Sequence, residues 1–175
     1  PEIEATARVT FHGTRVGNTD NNNPGEVTGY YADSSVFTVF QFKIVEGDPK
    51  PLSGANTIVI TRQTASRYFG TESPIGKILK FDNRTEFPVT AVIEDMPVNT
   101  HLKFDYLVSM PTFYKDVPED WIRKRGWMTM YTYARLKTNA YTKVSERMPA
   151  FIRKYYTGHP EIEKMVESEI RLYIL

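Results

Sequence analysis

The stretch "TIVITRQTASRYFGTESPIGKILKF", residues 57–81, carries the signals for a strand, a helix and a second strand in close succession. Its first residues belong to "NTIVIT" (56–61), whose branched apolar side chains predict a compact buried strand. Thr61 is a suitable N-cap for the helix predicted over "RQTASRYF", because its hydroxyl can accept a hydrogen bond from an orphan backbone N–H. Gly70 follows where a residue in the left-handed conformation would end that helix.

The second half of this stretch raises the question of whether Gly76 and Lys77 bind an anion. A phosphate loop requires G-x-x-x-x-G-K-[ST], with a strand before the first glycine and a hydroxyl after the lysine. Here Gly70 and Gly76 are six positions apart, a helix precedes Gly70, and Ile78 follows Lys77. Pro74 fixes its own φ angle and Gly76 permits a tight bend, so the sequence predicts a turn that leads into a strand.

The segments before this stretch predict strands, a polar loop and a short helix. Residues 2–11 alternate apolar and polar side chains, which predicts a half-buried strand. Residues 12–26 are rich in Gly, Asn and Asp and predict a loop or hairpin tip. A second strand is expected near residues 27–32, and Asp33 or Ser34 then fits as the cap of a short helix.

The segments after it predict more strands, with helices towards the C-terminal end. The predicted strands lie at 78–81, 87–96, 103–110, 127–137 and 169–175, and a polar hairpin turn lies at 82–86. Helices are expected from Pro118 to about residue 125, across the apolar stripe from Val144 to Tyr155, and from Pro160. Pro149 lies inside the second helix, where it predicts a kink or a restart.

Composition excludes several classes of protein. The chain has 175 residues with 41% apolar content, enough for one domain with a core or for two small lobes. Lys and Arg number 22 against 21 Asp and Glu, so the formal net charge of +1 is too small to favour nucleic acid or an anionic membrane as a partner. Because cysteine is absent, disulfides and thiolate zinc sites are excluded. No apolar run reaches the about 20 residues of a membrane span.

Candidate metal sites fail on spacing. The three histidines lie in separate segments, so nothing places two imidazoles on one face: His12, His101 and His159. A calcium loop built from Asp20, Asn22 and Glu26 fails because Tyr31 stands where a bidentate Glu is required. We therefore expect loop histidines and a mobile polar loop, and no metal site.

Candidate catalytic and modification sites also have simpler explanations. Neither G-x-S-x-G nor S-x-x-K occurs, so no nucleophilic serine is indicated. Glu94 and Asp95 are adjacent on a predicted strand and therefore point to opposite faces, which prevents them from acting as an acid/base pair. Asn83 starts a formal glycosylation acceptor, Asn-Arg-Thr, that is equally well explained as a turn.

Aromatic residues supply the best candidates for a partner surface. They make up 13% of the chain, and core packing is the usual role of such residues. Aromatic side chains are also favoured at interfaces, because they bury a large area while keeping a polar tip. The tyrosine pair Tyr30 and Tyr31 and the neighbourhoods of Trp121 and Trp127 are the positions at which we expect such a surface.

The order of three segments resembles a known family. They are "DSSVFTVFQFKIVEGD", "TIVITRQTASRYFGTESPIGKILKF" and "FPVTAVIEDMPVNTHLKFDYLVSM". Together they are similar to the MacB-like periplasmic core domain of ABC-transporter permeases, in the MacB/LolC/LolE/FtsX-like group, most densely over 33–110. The most telling part is the A-x-x-x-F-G-x-x-x-P-I-G-K run, formed by Ala65, Phe69, Gly70, Pro74, Ile75, Gly76 and Lys77.

The resemblance implies an α+β fold with two lobes. A Porter-like lobe of βαβ-type units would be built from both chain ends, at about residues 1–45 and 126–175. A mixed Sabre-like lobe would be inserted between them, at about residues 46–125. The whole of 1–175 would then be one periplasmic core domain, inserted between two transmembrane helices, which also accounts for the alternating patterns at both chain ends.

The resemblance further implies a role without catalysis. The domain would lie in the periplasm as part of an inner-membrane protein, and it would couple ATP hydrolysis to export, extraction or signalling. Its expected partners are the permease's own transmembrane helices, a second permease copy, a cytoplasmic ATPase, and a periplasmic adaptor or cargo protein. No cofactor is expected in this domain, since ATP would bind to a separate cytoplasmic domain or subunit. The family motif carries over as structural residues only.

Two alternatives remain open from the sequence. One is a free-standing periplasmic ligand-binding protein or hydrolase, and the other is a scaffold that activates cell-wall enzymes. Apolar helices of about 20 residues outside both termini would favour the permease, whereas a signal peptide would favour a free-standing protein. The sequence identifies neither a cargo nor the oligomeric state, because specificity depends on surfaces and not on a motif.

Overall fold

A computed structural model describes residues 2–18, 25–81, 85–119 and 130–156. The chain divides into two compact units, one made of Thr6–Tyr133 and a smaller one made of Pro1–Ala5 and Ala134–Leu175. The two-lobe division expected at residues 46 and 126 stays a prediction.

The described residues form strands and helices in a mixed order. The strands are β1 (Ile3–Phe11), β2 (Thr14–Asn18), β3 (Gly25–Val27), β4 (Gly29–Ala32), β5 (Ile44–Gly47), β6 (Ile58–Thr61), β7 (Ile78–Phe81), β8 (Thr85–Ile93), β9 (Tyr106–Ser109) and β10 (Tyr131–Leu136). The helices are α1 (Val36–Phe40), α2 (Arg62–Phe69), α3 (Met110–Asp116) and α4 (Tyr141–Tyr156).

The larger unit contains one mixed sheet. Its strand order is β1-β4-β9-β6-β8-β7-β2-β3, and β5 pairs with β8 beside this path. The pairs β4/β9 and β6/β8 are parallel, whereas the neighbouring pairs β1/β4, β6/β9 and β7/β8 are antiparallel. The predicted α+β class is therefore confirmed.

In the smaller unit, the Lys137 N–H donates to the Glu2 carbonyl at 3.0 Å, beside the end of β10.

Strand β6 is buried along its whole length, as the sequence predicts. Its side chains point alternately to the two faces of the sheet. Ile58 and Ile60 belong to a cluster that also contains Leu79, Phe81, Phe87 and Tyr106. Val59 belongs to a second cluster that also contains Ala7, Val9, Val36, Ile93 and Leu107. The sheet thus has apolar packing on both faces.

Helix α2 begins and ends at the residues that the sequence indicates. The Thr61 hydroxyl accepts from the Thr64 N–H at 3.2 Å, which confirms the predicted N-cap. Gly70 ends the helix with φ at +63°, but its ψ of −122° differs from that of a left-handed helical residue. The expected positive φ is present, and the expected left-handed conformation is wrong.

The predicted capping of α1 by Asp33 or Ser34 is wrong. The N-cap is Ser35, which makes no side-chain cap bond; its hydroxyl donates to the Thr6 carbonyl at 2.6 Å. The Asp33 carboxylate instead accepts from the Arg8 guanidinium at 2.8 and 3.0 Å. The carboxylate also accepts from the Arg8 backbone N–H at 2.9 Å, so both of its oxygens are used by β1 in a bidentate ion pair, and it faces β1 rather than the helix.

Two further outcomes concern helices, and the first is a correction. Met110, predicted as the end of a strand, is the first residue of α3, a helix that the sequence did not indicate. Pro111 is compatible with this position because the first helical turn has no intrahelical N–H bonds to lose. Helix α4 continues through Pro149, so of the two outcomes predicted there the restart is not observed and the kink stays a prediction.

Several predictions lie outside the described residues. These are most of the helix from Pro118, the helix from Pro160, the strand at 169–175, the start of the strand at 127–137, the tip of the 12–26 loop and the hairpin turn at 82–84. Around these gaps, β2 and β3 form an antiparallel pair, as do β7 and β8. The β7/β8 pair confirms the hairpin that the sequence predicts around residues 82–86. Strand β2 and most of β3 lie within residues 12–26, which the sequence predicts as a loop or hairpin tip, so that prediction missed both strands.

A close contact between Gly29 and Tyr106 fixes β4 against β9. A Cβ atom on Gly29 would lie 2.1–2.5 Å from atoms of the Tyr106 ring. The ring has little room to move, because Tyr106 is 1% exposed and its hydroxyl donates to the His12 carbonyl at 2.7 Å. Only glycine fits this position without displacing the ring.

Replacing Gly29 by Ala is therefore expected to destabilise the chain by about 1–3 kcal/mol, the usual cost of overpacking. This exceeds the about 0.4–1 kcal/mol that alanine gains by restricting the unfolded chain. Urea denaturation measures the change, and Gly54→Ala is the matched control, since its added Cβ meets nothing within 4 Å. Equal stability of the two variants would contradict the contact.

Candidate interaction surface

The turn at Gly76 and Lys77 uses its own backbone donors. The Gly76 N–H donates to the Val89 carbonyl at 2.8 Å, and the Lys77 N–H donates to the Pro74 carbonyl at 2.9 Å. Gly76 has φ at +78°, a conformation that glycine adopts without strain. An anion bound here would have to displace both internal hydrogen bonds. The geometry is therefore that of a corner between α2 and β7.

The side chains of the motif close the same turn. The Lys77 ammonium lies 5.5 Å from the centre of the Phe69 ring and forms an ion pair with Glu72. Pro74 is buried, and Ile75 packs against the core cluster of β6 and β7 together with Ala65 and Phe69. The structure thus brings the motif residues together around one turn. Their structural role in the family pattern stays a prediction.

Replacing Lys77 by Met is expected to raise the pKa of Glu72. The hydrogen bond and charge of Lys77 hold the pKa of this carboxyl below its ordinary value of 4.5. The ion pair therefore contributes above the ordinary pKa and is lost as pH falls through the lowered one. Carboxyl NMR titration measures the shift. Lys80→Met, which removes a cation 3.4 Å from Glu86, is the control and should leave Glu72 unchanged.

The adjacent carboxylates Glu94 and Asp95 have structural partners. The Asp95 carboxylate accepts from the Gln63 N–H at 2.7 Å, at the first turn of α2. Glu94 pairs with Arg62 at 3.0 Å and with Lys43 at 3.5 Å. These contacts anchor the start of α2 to the end of β8. Negative charge near the start of a helix is also favoured by the helix macrodipole.

The two histidines that the structure describes, His12 and His101, have different partners. The His12 Nδ1 lies 2.9 Å from the Tyr106 hydroxyl, and His101 Nε2 lies 3.0 Å from the Tyr133 hydroxyl. His159 lies outside the described residues. Across the described ranges, no three His, Cys, Asp or Glu side chains group as metal ligands would.

The predicted tyrosine pair lies on opposite faces of β4. The Tyr31 ring packs against His12, with centroids 4.4 Å apart, and against Phe113. The Tyr30 ring meets Phe11 edge to face, with centroids 5.8 Å apart. Consecutive strand residues point in opposite directions, so the two rings lie on different faces of the sheet. Their role as partner-surface residues stays a prediction. Trp121 and Trp127 lie outside the described residues.

Aromatic side chains from strands that the sequence predicts separately lie together on one face of the sheet. Phe11 and Tyr30 are register partners on β1 and β4. Phe11 is 63% exposed and Tyr131 is 57% exposed, whereas Tyr30 and Tyr133 are half-buried. We call Phe11, Tyr30, Tyr131 and Tyr133 the aromatic surface. It combines exposed apolar area with phenol hydroxyls, which is typical of interface residues.

The pKa shifts of Tyr30 and Tyr133 indicate that the three tyrosines of this surface lie close together. Burial raises the pKa of Tyr30, and nearby Tyr131 raises it further. The pKa of Tyr133 is raised by burial first and then by Tyr30 and Tyr131. Because a second phenolate close by is unfavourable, these effects indicate that the three phenols are neighbours. The raised pKa values keep the hydroxyls of Tyr30 and Tyr133 neutral at physiological pH, and a neutral phenol can donate or accept hydrogen bonds.

Behind the aromatic surface, a row of rings reaches the core. Tyr133 packs edge to face on Phe40, with centroids 4.9 Å apart, and Phe40 stacks on Phe42 at 5.3 Å. Phe42 contacts the buried Phe104 at 5.5 Å. The exposed residues are thus supported by packed ones. Sequence analysis missed Phe11 and Tyr131, because only the β1/β4 register reveals that Phe11 adjoins Tyr30.

A family model described as the MacB-like periplasmic core domain matches residues 1–150. No curated protein sequence matches the chain. Within the part of the chain that the structure describes, no helix combines the length and apolar character of a membrane span.

Several solved structures are similar to this chain. A domain of a protein assigned as a permease from Porphyromonas gingivalis has a TM-score of 0.74 at 20% identity, covering 90% of this chain and 72% of that one. The periplasmic region of MacB from Actinobacillus actinomycetemcomitans has a TM-score of 0.66 at 14% identity, covering 97% and 78%. The extracellular domain of the noncanonic ABC-type transporter YknZ from Gram-positive bacteria has a TM-score of 0.60 at 14% identity, covering 82% and 71%. At these identities, the similarity shows a shared fold.

Proposed function

Because the chain belongs to the family of MacB-like periplasmic core domains of ABC-type permeases, we propose that it works by docking and movement and not by catalysis. It couples ATP hydrolysis in the cytoplasm to export, extraction or signalling on the outer side of an inner membrane. The observation that carries this proposal is the family match over residues 1–150.

The arrangement of polar groups supports a role without catalysis. Every buried side-chain nitrogen or oxygen in the described residues has a hydrogen-bond partner. The carboxylates Glu94 and Asp95 anchor a helix, and the backbone donors at Gly76 and Lys77 close a turn. These groups stabilise the fold, which leaves them poorly placed for proton transfer or anion binding.

The aromatic surface is the part of the larger unit that best suits docking. Exposed aromatic residues with a polar tip lose little conformational entropy on binding and bury a large area. We assign this surface to the binding of a protein partner. That partner is a second copy of the permease, a periplasmic adaptor or a cargo protein. The permease's own transmembrane helices and a cytoplasmic ATPase complete the set of partners. ATP binds to that ATPase, and this domain needs no cofactor.

Complementation of a strain that lacks the parent gene tests this proposal. A permease with Phe11→Ser and Tyr131→Ser is expected to reach wild-type levels in the membrane and to lose at least half of its complementing activity, because the docking area is reduced. The matched control is Val98→Ser, which alters an apolar side chain that is 91% exposed outside the aromatic surface.

Two results would contradict the proposal. One is full complementation by a permease in which a Gly-Ser linker replaces residues 1–175, because the domain would then have no role in coupling. The other is turnover of a substrate by the purified 175-residue chain, because the chain would then be an enzyme.

A further inference from the structure

The smaller unit contains a charged cluster that joins the start of the chain to helix α4. One Glu2 oxygen lies 3.2 Å from the Lys143 ammonium, and the other lies 3.3 Å from the Arg147 guanidinium. The Glu2 side chain is only 14% exposed, whereas the two cations are 63% and 65% exposed. The carboxylate is therefore the covered centre of the cluster.

The spacing of the cations suits a single carboxylate. Lys143 and Arg147 are four residues apart in α4, so they lie on the same face of the helix, about one turn from each other. Both oxygens of one carboxylate can then be used at once, one for each cation. Neither cation would meet Glu2 if the helix were rotated to present another face.

The position of Lys143 is unusual for a helix. It lies in the first turn of α4, which contains no acidic residue. A cation near a helix N-terminus is unfavourable, because the macrodipole places partial positive charge there. Glu2, from the other end of the chain, supplies the negative charge that this turn lacks.

The same short segment is held by two more contacts within the smaller unit. The Lys137 N–H donates to the Glu2 carbonyl at 3.0 Å, and Arg135 pairs with Glu4 at 3.1 Å. Residues 2–4 are thus fixed by backbone and side-chain contacts to the segment that leads into α4. The pKa of Glu2 is lowered, chiefly by its hydrogen bond with Lys143, so the carboxylate is charged at neutral pH.

We propose that Glu2, Lys143 and Arg147 form a clasp that passes displacement of the entering chain to helix α4. The inference rests on the proposed function, in which the chain moves with the membrane helices of a permease. With the clasp closed, a pull or rotation at residue 2 moves α4 with it. With the clasp open, only the Lys137 and Arg135 contacts join residues 2–4 to the segment before α4, and less of the displacement reaches the helix.

Hydrogen exchange of the 175-residue chain tests whether the clasp holds α4. Glu2→Gln keeps the shape of the side chain and removes its charge, and we expect amides over 141–148 to exchange about two- to five-fold faster. The matched control is Glu146→Gln, which removes a charge from the same helix at a residue that makes no ion pair within the described ranges. Equal exchange in the two variants would overturn the clasp.

A charge exchange separates pairing from simple loss of fold. Combining Glu2→Lys with Lys143→Glu and Arg147→Glu reverses every charge and keeps the attraction, so exchange over 141–148 should return to within about two-fold of the original. Glu2→Lys alone should exchange faster than Glu2→Gln, because like charges then repel. The clasp would be overturned if the charge-exchanged variant did not recover slow exchange over 141–148 while Glu146→Gln exchanged like the original chain. That result would show that charge pairing does not hold the helix.

The same variants in the whole permease test transmission. At equal membrane levels, Glu2→Gln should reduce complementation at least two-fold, and the charge exchange should restore it, while Glu146→Gln has no effect. Faster exchange in α4 with unchanged complementation would show that the clasp does not transmit movement. Failure of the proposed function itself would be recognised separately, by full complementation from the linker that replaces residues 1–175.

Discussion

The burial of strand β6 on both faces is the constraint on which the rest of the structure depends. All four of its residues are buried, and it pairs in parallel with β8 and antiparallel with β9. Because its side chains enter two separate core clusters, a shift by one residue would place each side chain in the wrong cluster. Thr61, at its end, caps α2 and so fixes where the family motif begins.

This central strand supports two kinds of surface. The motif between α2 and β7 is closed by its own hydrogen bonds and by the Lys77 and Glu72 ion pair, which makes it a rigid corner. The aromatic surface lies instead where the end of β1 pairs with the start of β4, at Phe11 and Tyr30, together with Tyr131 and Tyr133 of β10. The Phe11 and Tyr131 rings remain exposed. A buried centre with exposed aromatic side chains is consistent with the docking role that we propose.

Apolar patterns predicted the strands β1, β6, β7, β8 and β9, although the predicted β9 extended too far at both ends. The cap residues Thr61 and Gly70 predicted the bounds of α2. The family resemblance, based on the run from Ala65 to Lys77, is confirmed by the match over residues 1–150. Predictions from local sequence were wrong where a side chain binds a partner that is distant in the sequence. The local sequence at Asp33 predicts a helix cap, but its carboxylate binds Arg8, which is 25 residues away. The aromatic surface depends on the β1/β4 register, which no local pattern contains.

The most direct measurement is hydrogen exchange along this chain in the whole permease, compared between nucleotide-free and ATP-analogue-bound states. The account predicts that amides of β6 stay equally slow in both states, while those of residues 2–5 and α4 change, because the centre is rigid and the ends carry the displacement. Exchange that changes in β6 as much as at the ends, or that changes nowhere in the chain, would contradict it.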